Sequence, residues 1–209
     1  MAESTYDRDR LIALSDGIIA FSMTLMAVLV TLPDPTKVAS ADFAGELWSI
    51  TFPQGIVFCY TFVIVAMYWA MHNKLMKEVI ACNGKLAWIN IFFLLGVVLL
   101  AITSAMFGDY GDNQLALTIF ACNIAAVGVI LVWMWLYALH KKFLRNSNLT
   151  KAERDYSLTV KLVTPIIFLL SIPVSLYSVT IAELSWLLIL PIQLYLNKLD
   201  PSLEQKKKK

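Results

Sequence analysis

The sequence predicts an all-α membrane protein with six transmembrane helices, on three observations. First, 59% of the 209 residues are hydrophobic and only 15% are charged, with a mean hydropathy of +0.69. Soluble domains carry about a quarter charged residues, and so little polar surface cannot cover a water-soluble globule of this size. Second, six apolar runs approach or exceed the roughly 20 residues that a helix needs to cross a hydrocarbon core. Third, the basic residues are placed asymmetrically about those runs.

The runs follow in order. The first extends from Leu11 to Leu32 and is stopped by Pro33-Asp34-Pro35. The second extends from Phe52 to Met76, with an earlier start near Phe43 also compatible. The third covers Leu86 to Phe107 and closes on Gly108-Asp109-Tyr110-Gly111-Asp112. The fourth covers Leu115 to Leu139, the fifth Leu158 to Val179 and the sixth Ile181 to Leu199. Only a few residues separate the last two, which predicts a tight hairpin.

Sixteen of the seventeen basic residues fall at the N-terminus, after the second run, after the fourth run and at the C-terminus. Lys37 alone lies on the other side, among Asp34, Asp42, Glu46, Asp109, Asp112 and Glu183. The positive-inside rule therefore predicts cytoplasmic termini and an even number of spans. Residues 1–205 read as one six-helix transmembrane domain and 206–209 as a basic, solvated tail. No internal repeat is visible. The polar first ten residues, followed by an apolar run too long for a signal peptide, predict no cleavable leader. Cys59, Cys82 and Cys122 have no pairing or metal-ligand spacing and read as small hydrophobes.

The composition argues against catalysis. His72 and His140 are the only histidines. No nucleophile-elbow, zinc-protease or phosphate-loop motif occurs, and no carboxylate pair lies inside a span. We expect no enzyme, no cofactor or metal and no nucleic-acid partner. Pro165, Pro173 and Pro191 interrupt the last two runs. They are compatible with the broken helices of a transporter and equally with simple kinks repaired by neighbouring helices. The stretch from His140 to Arg154 reads either as a positive-inside loop or as a contact for anionic lipid heads.

The first run carries the densest functional signal. Arg10, Ser15 and Asp16 stand at its mouth, where an ionisable group is costly unless paired or wetted. Phe21, Thr24, Leu25, Val28 and Thr31 or Leu32 then follow the spacing of one helix face, with Ala20, Met23 and Ala27 read as opposite. Such a stripe fits either helix packing or a pore lining. At the end of the second run, Trp69 and His72 are three apart and share a face. They fit an interfacial aromatic belt or a polar cluster with Arg10, Ser15 and Asp16. Asn90 is a further polar residue within an apolar run, expected to bond to a neighbouring helix.

Arg10-x-x-x-Leu14-Ser15-Asp16 resembles the Arg-x-x-x-Phe-Ser-Asp signature of the transmembrane protein 175 family of potassium channels, with Leu14 in place of phenylalanine. Trp69-x-x-His72 is similar to that family's second-helix motif. The resemblance implies a prokaryotic-type, single-repeat channel in the cell membrane, a homotetramer with the four first helices around one pore. It implies K+ as the permeant ion. It also places the narrowest apolar ring at Phe21, where the family has isoleucine or leucine, further apolar rings at Leu25 and Val28, and the family threonine at Thr24. A ring of hydroxyls there would serve ion choice in place of a carbonyl filter. Arg10, Ser15, Asp16, Trp69 and His72 would form the network that holds the first helix at the pore. A secondary transporter or a non-conducting helical module are the alternatives.

Overall fold

A computed structural model describes residues 7–39, 41–145 and 148–199. The basic tail at 206–209 lies outside the described residues. The described chain is helical, with an isolated antiparallel bridge between Val79 and Leu144 and six helical segments long and apolar enough to cross a membrane.

Helix α1 (Arg8–Val28) starts at Asp7, whose carboxylate accepts the N–H groups of Asp9 at 2.9 Å and Arg10 at 3.5 Å. Such a cap satisfies donors left unpaired at a helix start. The helix stops at Val28, four residues short of the expected Leu32. Two forces end it. The Thr31 N–H is diverted to Gln54 Oε1 at 2.6 Å, and its carbonyl accepts the Thr51 hydroxyl at 2.8 Å. Pro33 also disfavours a helical Leu32. In the following loop, hydrogen bonds from Thr36 and the Lys37 ammonium hold the Asp34 carboxyl below its usual range.

The second span begins with α2 (Phe43–Glu46), passes through a π-helical turn (Leu47–Thr51) and continues as α3 (Phe52–Glu78). Pro53 explains the turn, since it has no N–H for the carbonyl one turn earlier. Helices α4 (Gly84–Asp109) and α5 (Gln114–His140) start at Asn83 and Asn113, which cap them through side-chain oxygens. The fifth span, α6 (Lys151–Ser175), begins seven residues before the expected Leu158. A reciprocal Thr150–Glu153 capping box nucleates it and carries the helix through the charged segment. The sixth span is two helices, α7 (Val179–Trp186) and α8 (Ile189–Lys198). Pro191 leaves the Leu187 carbonyl without an i+4 donor, and the chain breaks there.

Helix α5 is central, packed along α4 and α6. Gly96 and Gly128 allow this approach. A Cβ at Gly96 would meet Val127 Cγ2 at 2.8 Å, and one at Gly128 would meet the Tyr68 hydroxyl at 2.6 Å and Pro165 at 3.0 Å. Small residues at such crossings let helices close in where lipid supplies no hydrophobic driving force. At one end of the core Phe107 stacks on Phe120 at 5.3 Å and Phe168 on Trp186 at 4.9 Å, joining the last four spans. Helix α1 lies outside this core, against α4 and α3.

Candidate pore helix and its anchors

Helix α1 has a packed face and an open face. Leu11, Ser15, Ile19, Ser22 and Met26 are buried. On the other side Leu14, Gly17, Ala20, Phe21, Thr24, Ala27 and Val28 are exposed, Phe21 by 65% and Val28 by 79%. Ala20 and Ala27 therefore sit on the flank of the stripe that holds Phe21, Thr24 and Val28, and the expected opposite face is instead the serine-bearing one. Leu25 is half-buried, packed against the core on the stripe's shoulder. The Thr24 hydroxyl donates to the Phe21 carbonyl at 2.8 Å, which leaves its oxygen lone pairs uncommitted.

The packed face is held by polar bonds. Ser15 is wholly buried; its hydroxyl donates to the Leu11 carbonyl at 2.8 Å and accepts from Asn90 Nδ2 at 3.0 Å. Asn90 Oδ1 accepts from His72 Nε2 at 2.7 Å, so the proton sits on Nε2 in this arrangement. The His72 ring stacks on Phe93 with centroids 4.9 Å apart and planes 5° from parallel. A buried polar group is costly unless paired, and this chain of three residues from three spans leaves each one satisfied. Separately, Trp69 Nε1 donates to Asp16 Oδ1 at 2.8 Å, nearer the surface.

The single unit expected of Arg10, Asp16 and His72 is thus two units. Asn90, whose role the sequence left open, is the centre of one, and Arg10 belongs to neither. Arg10 is exposed and makes no side-chain hydrogen bond or ion pair among the described residues. The arginine that reaches across is Arg8, which pairs with Asp9 at 2.8 Å and donates to the Val79 carbonyl at 3.1 Å. Geometry explains the exchange: Arg10 lies on the open face, in line with Gly17 and Val28.

The opposite end of α1 has an anchor the sequence reading missed. Gln54 accepts from Thr31 and donates through Nε2 to Asp109 Oδ1 at 2.6 Å. Gly108 makes room for it, since a Cβ there would touch Gln54 at 3.3 Å. A glutamine just after Pro53 was the available signal, but its partners lie 23 and 55 residues away. No cluster of His, Cys, Asp and Glu suited to a metal occurs among the described residues.

The structure is thus a helical membrane bundle whose first helix is pinned at both ends, yet bare along one face. Residues 10–100 match the family described as the endosomal/lysosomal potassium channel TMEM175. The chain is similar to that family over its first two spans and most of the third. A crystal structure of a lysosomal potassium-selective channel TMEM175 homolog from Chamaesiphon minutus superposes with a TM-score of 0.75 at 19% identity, covering 91% of this chain and 98% of that one. An endosomal/lysosomal proton channel TMEM175 of Danio rerio is 25% identical over 89% of this chain and 36% of its own length. A potassium channel of Chryseobacterium is 27% identical over 52% of this chain and 54% of its own. The chain thus spans about a third to a half of the length of these two relatives. The proteins it resembles are ion channels rather than enzymes.

Proposed function

We propose that this chain is a potassium-permeable cation channel of the cell membrane, a homotetramer with α1 lining the pore and both termini cytoplasmic. The observation that carries this reading is the open face of α1. It combines small residues (Gly17, Ala20 and Ala27), a threonine and three large apolar side chains (Leu14, Phe21 and Val28), while the other face is fastened by Asn90. Small residues favour close helix contact. Large apolar rings facing an axis gate by dewetting, and a hydroxyl ring offers oxygens to a partly dehydrated ion. In this arrangement Phe21 is the constriction, Val28 a second apolar ring and Thr24 the site of ion choice, with Leu25 at the contact between neighbouring α1 helices. The placement of sixteen of the seventeen basic residues supports the orientation. The names of the bacterial relatives support potassium as the permeant ion.

The test is current through the purified protein in planar bilayers. Phe21→Asn wets the constriction and Phe21→Ala widens it. Both are expected to raise conductance or open probability, Asn more strongly. Val28→Cys is expected to form disulfide-linked dimers, since each chain contributes one thiol at that position, and the particle should keep the mass of four chains. Slow saturable uptake without unitary currents would point to a transporter instead. A chain that neither conducts nor crosslinks would leave a non-conducting module.

A further inference from the structure

A second concave site lies away from α1. Helices α3, α5, α6 and α8 enclose a cavity of about 600 Å³ at the lysine-rich end of the bundle. That volume is in the range of pockets that take a drug-sized ligand. Its floor is apolar, formed by Met67, Met71, Val160, Leu190 and Leu194. Its rim is polar and includes Lys74, Tyr156, Ser157, Lys161, Gln193 and Asn197.

Lys161 is the informative residue. Its ammonium donates to the Ser157 hydroxyl at 2.5 Å and the Ser157 carbonyl at 3.2 Å, and lies 4.9 Å from the Trp135 ring centroid. No carboxylate oxygen lies within 4.0 Å of it among the described residues. Ten residues into α6, it stands about 15 Å from the helix start. The charged residues Lys151, Glu153, Arg154 and Asp155 precede it, and apolar sequence from Leu162 follows. That is the depth of a headgroup–hydrocarbon boundary, where an ammonium without a carboxylate invites an anion.

Two acids also line the cavity, and among the described residues neither lies within 4.0 Å of the Lys161 ammonium. The Glu153 carboxylate is engaged by the Thr150 N–H at 2.8 Å and hydroxyl at 2.9 Å. Glu78 is exposed at the last turn of α3, where its carbonyl accepts the Arg145 N–H. Lys77, Arg145, Lys151 and Arg154 are exposed at the same end and keep the local field positive.

We propose that this cavity binds an anionic phospholipid of the adjacent leaflet. Its phosphate sits at Lys161 and Lys74, and one acyl chain lies along Met67, Met71, Leu190 and Leu194. The apolar floor selects a lipid over a free anion, and the lysines select an anionic headgroup over a zwitterionic one. The site stands whether or not α1 lines a pore.

Thermal unfolding of the purified full chain in a neutral detergent tests it, with dioctanoyl phosphatidylglycerol, dioctanoyl phosphatidylcholine and inorganic phosphate as probes. Phosphatidylglycerol is expected to stabilise with about tenfold higher apparent affinity than phosphatidylcholine, as a charge-assisted phosphate contact predicts, and phosphate alone to have no effect. Lys161→Gln should bring the two lipids to parity, while Lys85→Gln, outside the cavity, keeps the preference. Leu194→Trp, which fills the apolar floor, should weaken both lipids and carries the test if Lys161→Gln does not fold. Equal affinity for both lipids in the parent, a preference surviving Lys161→Gln, or unchanged binding in Leu194→Trp would overturn the site. So would a phosphate shift matching that of phosphatidylglycerol. An oligomer mass altered by Leu194→Trp would show that a second copy fills the groove, and would overturn it too.

Discussion

Helices α1 and α6 each leave a face uncovered by the rest of the chain, but the two faces are built from different residues. On α6 the bare positions include Ile166, Leu169 and Leu170. They are large, flexible or branched hydrocarbons, suited to a fluid lipid surface. On α1 the bare positions include Gly17, Ala20, Thr24 and Ala27, interleaved with Leu14, Phe21 and Val28. A Cβ added to Gly17 would meet nothing within 4 Å. Inside the chain, a glycine such as Gly128 is used where another helix closes in. Exposure alone therefore does not separate a lipid-facing surface from a protein-facing one in a membrane. The sizes of the exposed side chains and the presence of a hydroxyl do.

The sharpest way to break this contrast is to place the same bulk on both faces. If copies of the chain meet on the open face of α1, Ala20→Trp is expected to abolish assembly, reducing the particle to the mass of one chain by light scattering in mild detergent. Leu170→Trp is expected to leave the oligomer intact. If both variants assemble, or both fail, the composition of the open face says nothing about its occupant.

The next effect concerns what fastens the opposite side of α1. Asn90→Ala removes the partner that Ser15 and His72 share and leaves the His72 donor bare. The expected cost is about 1–3 kcal/mol, read as a lower midpoint in denaturant or heat, with α1 loosened against α4. Histidine accessibility to diethyl pyrocarbonate, measured below the unfolding midpoint, should rise at His72. Trp69→Phe is milder. It deletes one half-exposed bond to Asp16, for about 1 kcal/mol, and keeps the ring's bulk. A larger loss for Trp69→Phe than for Asn90→Ala would mean that the surface pair, rather than the buried chain, anchors the helix.

These anchors mark what the sequence disclosed and what it withheld. Hydropathy and length place all six spans, because a bilayer demands continuous apolar helix from each one. The spacing of Phe21, Thr24, Leu25 and Val28 fixes one stripe, because a helix repeats every 3.6 residues. Which stripe is bare depends on contacts far along the chain. Ala20 and Ala27, four before and three after Thr24, belong beside it by helical spacing, whereas Ser15 and Ser22 mark the packed side. Ser22 donates to the Ile18 carbonyl, and Ser15 finds Asn90 75 residues away. Likewise the end of α1 at Val28 is set by Gln54, and the choice of Arg8 over Arg10 by the position of Val79. Pairings of that kind follow from how spans assemble, and local pattern does not contain them.

The smallest structural change is expected at Thr24, and it is also the most specific. Thr24 is exposed, and its hydroxyl bonds only to the Phe21 carbonyl within the chain. Thr24→Val keeps the branched shape, and loses one hydrogen bond that the helix does not need. Its unfolding midpoint and oligomer mass should match the parent, because surface changes away from packed contacts are usually within about 0.5 kcal/mol. If the open face lines a pore, the same substitution removes the only side-chain oxygens on that stripe between Gly17 and Val28. An ion then passes from one apolar ring to the next with nothing to replace its hydration. Reversal potentials under a potassium–sodium gradient should move toward equal permeability, with the total current reduced. A conducting Thr24→Val channel with unchanged reversal potential would remove the hydroxyl from ion choice and leave discrimination to the size of the rings at Phe21 and Val28.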